Sequence, residues 1–291
     1  MSGLVEGRVA IVTGAGQGLG RAHALALGAA GADLVVNDVG DAAAEVAEAI
    51  VAAGGSAVPV AADVSSWDDG ERLVATAVER FGRLDALVNN AGIVRDRMLV
   101  SMSEAEWDDV LRVNLKGHFV PLRHAAAHWR ERAKAGEDVQ ARIVNTSSGA
   151  GLLGSVGQGN YAAAKAGVAA MTLNAAAELG RYGITVNAIA PAARTPMTEE
   201  VFAEQMKAPE QGFDAMDPAN VSPLVVWLVS AGSGAVSGRV FEVEGDVVGL
   251  MDGWQFGPRA RAGGRWDPAD LGEAIAELIE EAPDPAPVYG A

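Results

Sequence analysis

The chain contains no cysteine. Disulfides, thiolate metal sites and thiol nucleophiles are therefore excluded, and the redox compartment is left open. Basic residues are scarce: 22 lysines and arginines stand against 38 aspartates and glutamates, for a formal charge of −16. Nucleic acid and anionic membrane surfaces both need a basic footprint, so neither is expected as a partner, and a polyanionic ligand has to be held locally. No apolar run approaches the roughly 20 residues of a membrane span. The opening "MSGLVEGRVAIVTGAG" sets Glu6 and Arg8 before an apolar strand, without a basic n-region or a small-residue cleavage site. No signal peptide is expected, and a soluble cytoplasmic protein is the default. Histidines are few, and His124 and His128 are spaced as in helical metal pairs. No Glu follows His124, and His23 and His118 do not obviously converge on it, so a solvated helix face is the simpler reading and no metal site is expected.

What the chain does have, over 291 residues that are about half hydrophobic, is an alternation of short β-rich runs with longer helical stretches. "RVAIVT", "DLVVND", "SAVPVAA", "DALVNN", "RIVNTS", "ITVNAIA" and "RVFEVEG" are the β-rich runs, most of them continuously apolar rather than alternating. Such strands are buried on both faces, the mark of a parallel sheet between helices. The expected fold is a doubly wound, Rossmann-type α/β sheet of about seven strands, with ligands at the carboxyl ends of the strands. One domain is expected over residues 1–265, followed over 266–291 by a charged helical segment and the loose, proline-containing "APDPAPVYGA".

The turn after the first strand reads "TGAGQGLG", residues 13–20, and opens the next helix. A lone glycine pattern is weak, but here strand, turn and helix are followed about 20 residues on by a second strand ending in an acid, Asp38. Gly14 permits the turn, Gly18 lets the backbone approach a pyrophosphate, and Gly20 lets helix and strand pack closely. The phosphates then sit at the positive end of the helix, beside Gln17 and Leu19. A carboxylate at Asp38 accepts from a ribose diol and repels a 2′-phosphate, and neither Gln17 nor Val39 offers a cation. NAD is therefore expected over NADP.

Tyr161 and Lys165 lie in "NYAAAKA", four residues apart, which on a helix puts them on one face about 6 Å apart along the axis. A phenol is a poor base at neutral pH, and a neighbouring ammonium favours the phenolate, so the lysine is expected to lower the tyrosine's pKa.

In order along the chain, "RVAIVTGAGQGLG", "NNAG" at 89–92, "RVNLKG" around Asn114, "NTSS" and the Tyr161–Lys165 pair resemble the short-chain dehydrogenase/reductase family. The resemblance covers nearly all of the chain. "VVNDVG", "NNAGIVRDRML" and "GQGNYAAAKAG" are most similar to the D-3-hydroxyacyl-CoA dehydrogenase units of peroxisomal multifunctional enzymes and their bacterial relatives. One departure is "PAARTPM", where Ala192 replaces a glycine usual in the family and Thr195 stands only four residues past Pro191. The shortened turn is associated with that branch and leaves the contact of Thr195 with the nicotinamide carboxamide open.

The resemblance implies hydride transfer between a secondary alcohol or ketone and NAD. It makes Tyr161 the general base and Ser148, rather than Ser147, the residue that steadies the substrate oxygen. Lys165 would also grip the ribose, and Asn114 would hold a water on the proton path. It further implies that Asn90, Ala91 and Gly92 line the adenosine-ribose side, that Asp63 and Val64 contact adenine, and that Ile189 and Pro191 wall the nicotinamide. For Asp63, capping of the following helix is an equal reading. A 3-hydroxyacyl-CoA or related thioester is the expected substrate; a steroid or cyclic alcohol, an acyl-carrier-protein thioester and an idle dinucleotide-binding scaffold are the alternatives. The small-residue helix around Tyr161 implies a homodimer or homotetramer. The loop at 198–220 covers a pocket without naming its contents. Arg259, Arg261 and Arg265, gathered with aromatics, read as an oligomer contact or a CoA-phosphate contact.

Overall fold

The computed structural model describes residues 3–195 and 206–289. Among the described residues, six β–α steps run from β1 (Val9–Val12), α1 (Gly18–Ala29), β2 (Asp33–Asp38), α2 (Ala42–Ala52), β3 (Ser56–Ala61) and α3 (Trp67–Phe81) to β4 (Ala86–Asn89). They continue through α4 (Glu104–Val110), α5 (Gly117–Lys134), β5 (Ala141–Thr146), α6 (Gly149–Leu153), α7 (Gly159–Leu179) and β6 (Ile184–Ala192) to α8 (Ser222–Val229) and β7 (Val240–Glu244). The chain closes with β8 (Val247–Met251) and α9 (Leu271–Glu281). The strands form one sheet in the order β3-β2-β1-β4-β5-β6-β7-β8. All neighbours are parallel except β7 and β8.

The apolar strands behave as their composition requires. On β1, Ala10 and Val12 point into a core shared with α1, α2 and α8, while Val9 and Ile11 point into a second core shared with α3, α5 and α7. Leu34 and Val36 against Val35 on β2 repeat the split. Side chains alternate across a strand, so only a run apolar at every position can serve two covered faces. Trp129 of α5 is the largest fully buried side chain among the described residues, and its indole N–H donates to the Leu84 carbonyl at 2.7 Å. Among the described residues, no helix is long and apolar enough to cross a membrane.

Among the described residues the sheet has eight strands where about seven were expected. The addition is β8, which folds back from β7 through Gly245 and Asp246 with Glu244 opposite Val247. Gly245 has φ +55°, and no described non-glycine residue has positive φ, the sign pattern of a type II′ hairpin turn. A single acid-flanked glycine in the middle of an apolar stretch gave little warning of that reversal.

Between α4 and α5 the helix widens into a π-helical turn, Leu111–Lys116, that contains Asn114. Such turns are rare and concentrate at functional sites. His124 differs from the expected solvated position: it is buried at 7% exposure, with its ring edge-on to Trp67 at 4.7 Å. Trp67 opens α3, so His124 serves the packing of α5 on α3.

Candidate active site

Sheet order reverses between β1 and β4, and a cleft of about 510 Å³ opens there at the carboxyl ends of the strands. Gly14, Gln17, Gly18, Leu19, Asp38, Asp63, Val64, Asn90, Ala91, Gly92, Ser148, Tyr161, Lys165, Pro191 and Thr195 all line it. Gly20 and Asn114 lie behind its wall. A Cβ on Gly20 would fall 2.1 Å from the Gly14 carbonyl oxygen, so the first turn closes only without one. Ile189, expected beside Pro191, is instead fully buried in the core. It precedes Pro191 by two positions on β6 and points to the same face, but deeper in the sheet. Residues 198–205 of the covering loop lie outside the described residues.

Ser148 caps α6, accepting from the Ala150 N–H at 3.2 Å, and its hydroxyl is near enough to the Tyr161 phenol to favour the phenolate. Ser147 is committed elsewhere: it is buried, and its hydroxyl donates to the Lys165 carbonyl at 2.9 Å. One turn along α7, Lys165 brings its ammonium to 5.6 Å from the Tyr161 ring centre. The lysine is 2% exposed, and its Nζ donates to the Thr146 carbonyl at 2.8 Å.

The expected lowering of the phenol's pKa by the lysine is not what the geometry produces. Burial dominates and pushes Tyr161 up to about 12, with the Ser148 hydrogen bond opposing it and Asp96 and Tyr289 adding to the rise. Burial likewise brings Lys165 down to about 7. Desolvation penalises whichever form is charged, so it drives acid and base in opposite directions. His118, fully buried nearby, is held well below the ordinary histidine range by burial and then by Lys165.

Behind the lysine, Asn114 is fully buried, and its Nδ2 donates to the carbonyls of Ile93 at 2.8 Å and Val110 at 3.0 Å. A Cβ on Gly92 would come within 2.6 Å of Asn114 Oδ1. That oxygen is buried and makes no protein hydrogen bond among the described residues, which is the setting in which an internal water is held.

At the other end of the cleft, Asp38 Oδ2 accepts from the Gly16 N–H at 2.9 Å and Oδ1 from the Val39 N–H at 2.7 Å. Asp63 does not cap α3, which Ser66 does. Burial pushes the Asp63 carboxyl up, but hydrogen bonds from Ser65 and the Arg112 guanidinium at 3.0 Å outweigh it and hold it below the usual range. Asn90 serves the turn as well as the cleft, its Nδ2 donating to the carbonyls of Thr13 and Gly14, each at 3.1 Å.

Residues 8–206 match the family model for short chain dehydrogenases. The chain belongs to the short-chain dehydrogenase family. This short-chain dehydrogenase is 49% identical over 284 residues to hydroxyacyl-CoA dehydrogenase ChsB1 of Mycobacterium tuberculosis, across 94% of its own length and 89% of that protein. It is 41% identical over 256 residues to peroxisomal multifunctional enzyme type 2 of Mus musculus, and there its match covers 84% of this chain but only 33% of the mouse enzyme. Among solved structures, a short chain dehydrogenase from Mycobacterium avium superposes with a TM-score of 0.92 at 58% identity, over 99% of this chain and 100% of that one. The protein is thus an oxidoreductase of a family that uses NAD or NADP.

Its first turn suits such a dinucleotide. Gly14 has φ +60°, and a Cβ there would lie 2.6 Å from Ala91 Cα, so the loop stays open at that point only as glycine. The start of α1 has neither a side-chain cap on Gln17 nor an acid in its first turn. Its first N–H groups are thereby left for an anion in the cleft.

Residues that line the cleft but carried no signal in the sequence include Arg95, Gln158, Met206 and Tyr289. Gln158 is placed by its Nε2 donating to Asp96 Oδ2 at 2.9 Å and by a bridge between its backbone and that of Arg97. Neither contact follows any local pattern.

Proposed function

We propose that this enzyme oxidises the hydroxyl-bearing carbon of a 3-hydroxyacyl-CoA, or a related acyl thioester, with NAD. The observation that carries the reading is the Tyr161 phenol in reach of Ser148, with Lys165 buried one helical turn behind it, in one cleft with Asp38. NAD, when bound, supplies the hydride-accepting carbon and a positively charged ring. Tyr161 takes the hydroxyl proton as the carbonyl forms, and a cation at that end of the cleft favours its phenolate. Ser148 hydrogen-bonds the substrate oxygen and opposes the burial that otherwise keeps the phenol protonated. Lys165, poised near neutrality, passes the proton on from Tyr161 toward water held at Asn114, and its ammonium also binds the ribose.

The preference for NAD rests on Asp38, which two backbone N–H groups hold facing the cleft. Arg112, a guanidinium lining that end, is already paired with Asp63 and Ser65, which leaves a 2′-phosphate facing carboxylates. The acyl-thioester assignment is supported by the names of the Mycobacterium and mouse relatives. A homodimer or homotetramer is supported by the small exposed stripe of α7, where Ala163, Ala166, Ala170 and Leu173 follow one another at helical spacing.

The test is Tyr161→Phe. Turnover of a 3-hydroxyacyl-CoA, followed by NADH absorbance, is expected to fall at least about a thousandfold. The Kd for NADH, measured by fluorescence titration, is expected to stay within about threefold, because the phenol is assigned to the proton and not to the cofactor's grip. Retained turnover would refute the assignment.

A further inference from the structure

The last described residues return to the cleft. α9 buries no residue, and residues 282–288 are exposed along their length. At Tyr289 this changes. Its N–H donates to the Gly154 carbonyl at 2.9 Å, at the end of α6, and its ring lies on Gly149 so closely that a Cβ there would meet Cδ2 and Cε2 at 2.4 Å. Gly149 follows Ser148 directly, and the ring shares the cleft wall with Ser148, Gln158, Tyr161 and Met206. Its phenol is near enough to Tyr161 to act on it electrostatically.

We propose that Tyr289 is a specificity-determining residue, through which the C-terminal end of the chain supplies the aromatic surface that receives the carbon skeleton of the substrate beside Ser148. This rests on the secondary-alcohol reading above. The tail has no core of its own that would call for a buried ring, and the contacts that seat Tyr289 are with the two ends of the helix that Ser148 caps. Glycine at 149 leaves the space the ring fills. Three prolines, Pro283, Pro285 and Pro287, precede it within seven residues. Proline fixes φ, so this stretch acts as a semi-rigid spacer that reaches the site with little conformational entropy left to lose. A tyrosine then offers a broad, stiff apolar face at small further cost in rotamer freedom. The segment expected to be loose is in this reading a strut. Because its end is tied by a backbone hydrogen bond and a ring contact rather than by a buried helix, the ring selects substrate through binding, and its electrostatic effect on the Tyr161 phenol is the smallest of the four that act there.

The experiment compares Tyr289→Ala and Tyr289→Phe with the wild type as full-length chains. Steady-state kinetics at saturating NAD are run over 3-hydroxyacyl-CoAs of increasing length, a steroid alcohol and a small secondary alcohol. Tyr289→Ala is expected to raise KM for the preferred substrate about tenfold while kcat stays within about threefold. NADH affinity and Tm are expected to stay at the wild-type value, and Tyr289→Phe to keep the wild-type KM. The proposal is overturned by an unchanged KM in Tyr289→Ala across the panel, by a fall in kcat at constant KM, or by a Phe variant as impaired as the Ala variant. A wild type that oxidises only non-thioester alcohols removes the thioester assignment alone, and the variant ratios are then read on that alcohol. A wild type inert toward every alcohol overturns both.

Discussion

Replacing Lys165 with methionine is expected to abolish turnover and yet raise the stability of the ligand-free protein at low pH. The lysine is 2% exposed, and burial lowers its pKa from the ordinary 10.5 to about 7. At 1.36 kcal/mol per pKa unit, that fall corresponds to about 5 kcal/mol against the protonated side chain in the folded state. The sign follows from linkage. The native pKa lies below the unfolded one, so between them the unfolded chain binds more protons and stability rises with pH. The deficit is complete below about pH 7, has shrunk to about 2 kcal/mol by pH 9, and is gone above the unfolded value. Methionine fills a similar volume without a charge but gives up the hydrogen bond to Thr146, a loss of roughly 1–3 kcal/mol. The net expectation is a variant more stable than wild type by about 2–4 kcal/mol at pH 6, which is several degrees in Tm, with the advantage gone near pH 9. Thermal unfolding followed by circular dichroism between pH 6 and 9 checks this. A variant that melts below wild type at pH 6, or a difference that does not change with pH, would refute the reasoning.

Three further expectations concern other parts of the molecule. Asp38→Asn removes the charge facing the ribose, and the NAD:NADP ratio of kcat/KM is expected to fall roughly tenfold, worth about 1–2 kcal/mol at an exposed cleft; an unchanged ratio would detach Asp38 from cofactor choice. Gly14→Ala forces a Cβ to within 2.6 Å of Ala91 at φ +60°, so strain of roughly 1–3 kcal/mol and NADH binding weakened by at least about tenfold are expected, read by thermal melts and fluorescence titration. Trp129→Ala, far from the cleft, is expected to cost about 3–5 kcal/mol in denaturant unfolding, because it empties a fully buried site and orphans the Leu84 carbonyl.

Features encoded by near neighbours are legible in the sequence itself. The glycine turn with Asp38, and Tyr161 with Lys165 one helical turn later, depend on spacings that strand and helix geometry convert directly into positions. Continuous apolar strands likewise announce two covered faces. Other features are hidden there because they depend on contacts distant along the chain or on burial. Tyr289 meets Gly149 across most of the C-terminal half of the chain, and nothing in "APDPAPVYGA" marks its destination. The charge balance at Tyr161 and Lys165 departs from expectation because adjacency suggests attraction between phenolate and ammonium, whereas the interior penalises both charges more strongly. β8 escapes notice because its reversal rests on one glycine, and the depth of Ile189 because strand parity gives the face of a residue but not its height.

The contact between α6 and α7 has a consequence for how such a protein can change. A Cβ on Gly151 would fall 2.6 Å from the backbone carbon of Lys165, and the Ser147 hydroxyl is bonded to the carbonyl of that same residue. The separation between the segment bearing Ser148 and the helix bearing Tyr161 is therefore gauged at Gly151 by main chain against main chain, and beside it by the short hydroxyl of Ser147. Substitutions elsewhere in the core can trade volume and alter melting behaviour without respacing the reacting groups, and the walls contributed by the covering loop and the chain end are free to be rewritten. Inheritance of the chemistry is in that sense uncoupled from inheritance of the substrate.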